Sequence, residues 1–96
     1  MPKIKIAHYE GTPIHYVTPN RRVWFVTADI LEVLELENET LKDVLPEQKA
    51  QIDVKIHGQK QRIDIIAFFG VLQLAARSKS GRVLSFTRWL AEGGRK

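Results

Sequence analysis

Residues 63–94, IDIIAFFGVLQLAARSKSGRVLSFTRWLAEGG, constrain the fold more than any other stretch. The run opens on period-2 alternation and passes without a gap into an almost wholly apolar segment. It then breaks at a Ser/Lys/Gly cluster and closes on an amphipathic segment of helical period. That order predicts a strand, a buried helix, a short connection and a last helix carrying Trp89. At 96 residues the chain has room for one domain with one core. The reading is α+β: a small single domain over residues 1–96, its antiparallel hairpins and sheet packed against three to four short helices.

The stretch upstream of this run supplies its partner. Residues 51–56 (QIDVKI) and 62–66 (RIDII) alternate cleanly about HGQKQ, the clearest hairpin signal in the chain. Two registers keep Ile52, Val54, Ile56, Ile63 and Ile65 on one face. A two-residue turn at Gly58-Gln59 opposes Lys55 with Arg62 and Asp53 with Asp64. A four-residue loop from Gly58 opposes Lys55 with Asp64 and is preferred, because facing like charges are unfavourable. Its tip then presents Lys60, with Arg62 at the base.

The N-terminal part is read in the same way. Residues 3–9 and 14–17 form a hairpin around the turn signal at 10–13. A turn centred on Gly11-Thr12 would set His8 opposite His15, although Pro13 lacks the N–H such a turn uses. Two imidazoles without a nearby third ligand are too few for a metal, so none is expected. Residues 18–22 are a loop whose Arg21 and Arg22 are candidates for phosphate contact, although two adjacent Arg in a loop are more often simply solvated. Residues 23–26 are a buried strand.

Thr27 is expected to cap a first helix, with Asp29 in its first turn and Val26 and Leu31 as a hydrophobic staple. That helix is expected to end at Asn38, and a short second helix over 39–45 to stop at Pro46. In the buried helix, 67–78, Phe68, Phe69, Val71, Leu72 and Leu74 are read as core. Gly70 shares the remaining strip with Gln73 and Arg77 and permits close packing. Ser80 is expected to cap the last helix, whose Val83, Phe86 and Leu90 face inward while Arg82, Ser85, Arg88 and Glu92 face outward. Trp89 lies at the edge, as a core-margin residue or as an anchor at an interface or homodimer contact. Residues 93–96 form a frayed tail.

Charge is laid out in blocks. Residues 29–47 hold seven acidic residues against one Lys, and residues 68–96 hold six basic residues against one Glu, within a net charge of +4. Two faces of opposite sign follow. There is no Cys, hence no disulfide framework, zinc knuckle or thiol nucleophile. No apolar run approaches the roughly 18 residues of a membrane span, and the expectation is a cytoplasmic protein without cofactor. Neither a nucleophile with its base, nor paired carboxylates, nor a phosphate loop stands out, so an enzyme is not expected. A binding module is. Its basic surface combines the hairpin (Lys55, Lys60, Arg62) with the connection and last helix (Arg77, Lys79, Arg82, Arg88), a helix-plus-hairpin arrangement suited to double-stranded DNA. The rival class docks a protein on the acidic helix through Asp29, Glu32 and Glu35, with Trp89 as a further contact.

Two ordered blocks carry a family resemblance. Trp24-Phe25-Val26-Thr27-Ala28-Asp29-Ile30 with Leu31-Glu32-Val33-Leu34 resembles the opening of the Bro-N domain of phage antirepressors and baculovirus Bro proteins. Ile65-Ile66, Gly70-Val71-Leu72, Arg77-Ser78 and Phe86-Thr87-Arg88-Trp89-Leu90 resemble its close. The resemblance spans about residues 15–92. It implies a compact α+β nucleic-acid-binding domain of a phage or prophage regulator, one that binds DNA or, as an antirepressor, a repressor or host protein. Where that family often has Gly-Tyr after the first helix, this chain has Glu35-Leu36, and Asp43 stands where basic residues are common.

Overall fold

The computed structural model describes residues 3–93. Five strands form one antiparallel sheet: β1 (Lys5–Tyr9), β2 (Thr12–Val17), β3 (Trp24–Val26), β4 (Lys49–Ile56) and β5 (Gln59–Ala67), in the order β1-β2-β3-β5-β4. Three α-helices accompany it among the described residues: α1 (Thr27–Leu34), α2 (Phe68–Ala75) and α3 (Val83–Ala91). The α+β architecture is the one expected. None of these helices is long and apolar enough to cross a membrane. Ala7, Tyr9, Ile14, Tyr16, Phe25 and Ile66 project from one face of the sheet into a core completed by the buried stripes of all three helices. The tail at 94–96 lies outside the described residues.

Both hairpin turns sit earlier than expected, the first by one residue and the second by two relative to the preferred four-residue loop. The first is centred on Glu10-Gly11, with φ of 49° and 82°. The second is centred on His57-Gly58, with φ of 53° and 79°. Two successive positive φ values give a twist that matches the flanking strands, and glycine is favoured at the second position. The first shift pairs His8 with Pro13 and His15 with Ile6, so the two imidazoles are not opposed. The second replaces both expected registers: Asp53 faces Arg62, Gln51 faces Asp64, and Lys55 faces Lys60. It converts two carboxylates into bonded partners, Asp64 accepting from Gln51 at 2.7 Å and Asp53 from Arg62 at 3.2 Å. The opposed lysines lie at the exposed tip, where solvent screens them.

The helix ends also differ. β3 runs straight into α1, so the capping position falls on Val26 and Thr27 is buried as the first helical residue. Asp29 stands in the first turn as expected, and it also accepts the His15 backbone N–H at 2.7 Å and bonds His15 Nδ1 at 2.8 Å. It satisfies a strand donor beyond Tyr16, where the β2–β3 ladder stops. α1 ends at Leu34, short of Asn38, because Glu35 turns left-handed (φ 55°, ψ 48°). The Leu36 N–H then closes on the Leu31 carbonyl at 3.0 Å and that of Glu35 on Glu32 at 3.2 Å, bringing Leu36 against the core. Residues Asn38–Asp43 form a 3-10 helix in place of the expected α-helix. Glu35→Gly is expected to stabilise the fold by about 0.5–1 kcal/mol: relief of about 1–2 kcal/mol at an L-residue in this region, offset by the entropy of the glycine. Thermal unfolding should register a rise of roughly 2–8 °C; a lower midpoint would show that Glu35 bears no strain.

In α2 the buried set is Gly70, Val71, Leu74 and Ala75. A Cβ on Gly70 would lie 2.8 Å from Ile66 Cγ1 and 2.9 Å from Gln48 Cβ, so the glycine serves close packing. Phe68 and Phe69, expected in the core, are 40% and 54% exposed. The helix starts at Phe68, directly past the end of β5, and Gly70 is the first of its residues to be buried. α3 begins at Val83, two residues beyond its expected start; the Ser80 hydroxyl accepts the Arg82 N–H at 3.1 Å as part of the preceding turn.

Candidate nucleic-acid interface

The hairpin cations are the most constrained of the expected site residues. Period-2 alternation puts Lys55, Lys60 and Arg62 on one face of β4–β5, and Asp53 on that same face. Asp53 lies 3.2 Å from Arg62 Nε and 3.6 Å from Lys60 Nζ. The Arg62 hydrogen bond is the main influence holding the Asp53 carboxyl below its usual range; the charges of Arg62 and Lys60 act the same way, against partial desolvation. A lowered carboxyl stays ionised through neutral pH and loses its contribution only as acid brings it through that lowered value. Two of the three hairpin cations are therefore partly neutralised. Lys55 forms no ion pair among the described residues.

The second group follows α2. Arg77 reaches Asp43 at 3.7 Å, drawing it toward the acidic segment. Ser78 Oγ donates to the Leu34 carbonyl at 2.6 Å and pins the α2–α3 connection to the end of α1. Lys79 and Arg88 are exposed and Arg82 is half-buried. None of these three forms an ion pair among the described residues. Through Phe86 and Trp89, α3 docks against Tyr9 of β1, one edge of the sheet, whereas β4 is the other. The hairpin and the last helix are thus separate basic regions rather than one face.

The acidic candidates divide in the same manner. Asp29 is occupied by His15. Glu32 and Glu35 are exposed and unpaired among the described residues. Trp89 is half-buried, stacked on Phe86 at 5.7 Å and edge-on to Tyr9 at 5.6 Å, with the Tyr9 hydroxyl bonded to Ser85. It belongs to the margin of the core.

Sequence reasoning set Arg21 and Arg22 aside as solvated cations and did not join Lys3 and Lys5 to them. The signal was present in KIK at 3–5 and RR at 21–22. These become neighbours only once β1 and β2 pair, placing Lys5 Nζ 3.4 Å from Thr18 Oγ1.

Comparison with known families adds one finding: the family described as BRO family, N-terminal domain, matches residues 13–93. No curated protein and no solved structure matches the chain.

Proposed function

The chain belongs to the BRO family of N-terminal domains over residues 13–93, and from that premise we propose a regulatory module that binds double-stranded DNA inside the host cell. Lys79, Arg82 and Arg88 supply the principal contacts. The observation that carries this reading is that these three cations lie together on the α2–α3 connection and α3 without an ion-pair partner among the described residues. Lys55, Lys60, Arg62 and Arg77 contribute less, the last three being engaged by Asp53 or Asp43. Contacts of this kind go to phosphate, fix orientation and read no sequence. Affinity for duplex DNA should fall linearly in a log–log plot against salt, with a slope of about −0.9 per phosphate contact. Absence of duplex binding by folded protein at low salt would overturn the reading.

A second reading is favoured by the exposed, unpaired Glu32 and Glu35. In it the acidic segment docks a repressor or host protein in the manner of an antirepressor. Capture of a protein from nuclease-treated host lysate, lost in a Glu32→Lys/Glu35→Lys variant, supports it. Retention of the partner by that variant counts against it.

A further inference from the structure

One end of the sheet carries cations that neither reading uses. Trp24, the first residue of β3, pairs with Ala67, the last of β5, and Lys49, the first of β4, pairs with Ile66. The loop at 18–23, Gln48 and the first turn of α2 therefore converge at one end. Lys5 reaches the same end from the neighbouring hairpin, through Thr18. A cleft of about 440 Å³ opens there, lined by Lys3, Lys5, Thr18, Pro19 and Asn20. Arg21 and Arg22 follow Asn20 of its lining directly in the chain, and both are exposed.

The loop holds these side chains in a costly shape. Asn20 and Arg21 are successive non-glycine residues at positive φ, 54° and 66°. Backbone of this kind persists where surrounding contacts over-determine it, and it concentrates at ligand clamps. Here the closing contact is the Arg22 N–H on the Pro19 carbonyl at 3.1 Å. The Arg22 guanidinium lies 4.8 Å over the Trp24 ring and donates to Gln48 Oε1 at 3.4 Å. Gln48 in turn packs beside Gly70 in the first turn of α2. No side chain caps that helix, so its N-terminal partial positive charge adds to the same end. Lys3, Lys5, Arg21 and Arg22 form no ion pair among the described residues, and neither does Glu47, the acidic residue on the adjoining 3-10 turn.

We propose that this end of the sheet is a phosphate-binding site, in which Lys5, Arg21 and Arg22 take the oxygens of a nucleic-acid backbone. The assignment of a backbone as the source of the phosphate rests on the DNA-binding reading; the anion site itself does not. It lies at the opposite end of β1 from Tyr9, where α3 docks, so its loss is separable from that of Lys79, Arg82 and Arg88. The Arg22 guanidinium rests on the Trp24 ring and bonds Gln48 through one nitrogen; its planar set of N–H donors suits phosphate better than a lysine's point charge does.

Two measurements on the full chain test it. Inorganic pyrophosphate titrated into labelled protein should shift backbone NMR signals of residues 18–24 and Lys5, and quench or shift Trp24 fluorescence. The Lys5→Ala/Arg21→Ala/Arg22→Ala variant, altered only at exposed positions, should abolish the shifts while keeping the remaining spectrum. The same variant should reduce the slope of duplex affinity against salt by about 2 to 3, at about 0.9 per contact. Pyrophosphate shifts without any duplex binding by the wild type would support the anion site and overturn DNA as its source. Duplex binding by the wild type that the variant retains in full, with no pyrophosphate shifts at residues 18–24, would overturn the proposal while leaving the reading built on α3 intact.

Discussion

Phe86→Ala is expected to cost about 3–5 kcal/mol, a large share of the roughly 5–15 kcal/mol that holds a domain of this size together. The Phe86 ring is fully buried, edge-on to Tyr9 at 5.0 Å and stacked on Trp89 at 5.7 Å. With Leu90 it makes up the buried contribution of α3 to the core. Truncation removes the apolar contact and leaves a cavity between helix and sheet, and α3 is too short to persist alone. At roughly 4–8 °C per kcal/mol the unfolding midpoint should fall by about 12–40 °C. Circular dichroism follows the global transition and Trp89 fluorescence the local one. A fall of less than about 5 °C would show that α3 is not integral to the fold. The same geometry bears on Trp89: as a core-margin residue, its replacement by Ala should lower the midpoint without changing mass in light scattering. A homodimer anchored there would lose mass first.

How far the sequence led can be judged at particular residues. Four of the strands follow from alternation, whereas β3 follows from the continuous apolar run at 23–26. Both turns were misplaced for one reason. Gly11 and Gly58 were read as the first central residue of their turns, whereas each is the second, behind Glu10 and His57. In the kind of tight hairpin turn found here the two central residues both have positive φ, and glycine is favoured second. That single step governs the charge picture, because it brings Asp53 opposite Arg62 and within reach of Lys60. The Glu35 stop had a signal too, in the glycine that relatives often carry there, but continuing acidic periodicity masked it. The exposure of Phe68 and Phe69 had none. It depends on where the sheet ends relative to α2, a tertiary fact that helical periodicity does not contain. The gathering of Lys5 with Arg21 and Arg22 is likewise a product of strand pairing.

The neutralised hairpin and the unpaired connection then separate quantitatively. Removing Lys79, Arg82 and Arg88 together should reduce duplex affinity by about three-thousandfold at 50 mM salt and about eightyfold at 200 mM, if each makes one phosphate contact worth about 0.9 in the salt slope. The dependence on salt is the telling feature, since a loss caused by misfolding would be similar at both concentrations. The sites chosen leave the fold's contacts in place: Lys79 and Arg88 are exposed, and the polar contact described for Arg82 is made by its backbone N–H. Removing Lys55, Lys60 and Arg62 should cost far less, because it also leaves Asp53 without its partners and so removes a smaller net charge. Asp53→Asn is the sharper comparison. It frees two cations without adding one, and should raise duplex affinity if the hairpin touches backbone at all. Competition binding at the two salt concentrations, with circular dichroism on each variant, decides the ranking. Equal losses from the α3 and hairpin variants, or a loss independent of salt, would remove Lys79, Arg82 and Arg88 from their principal role.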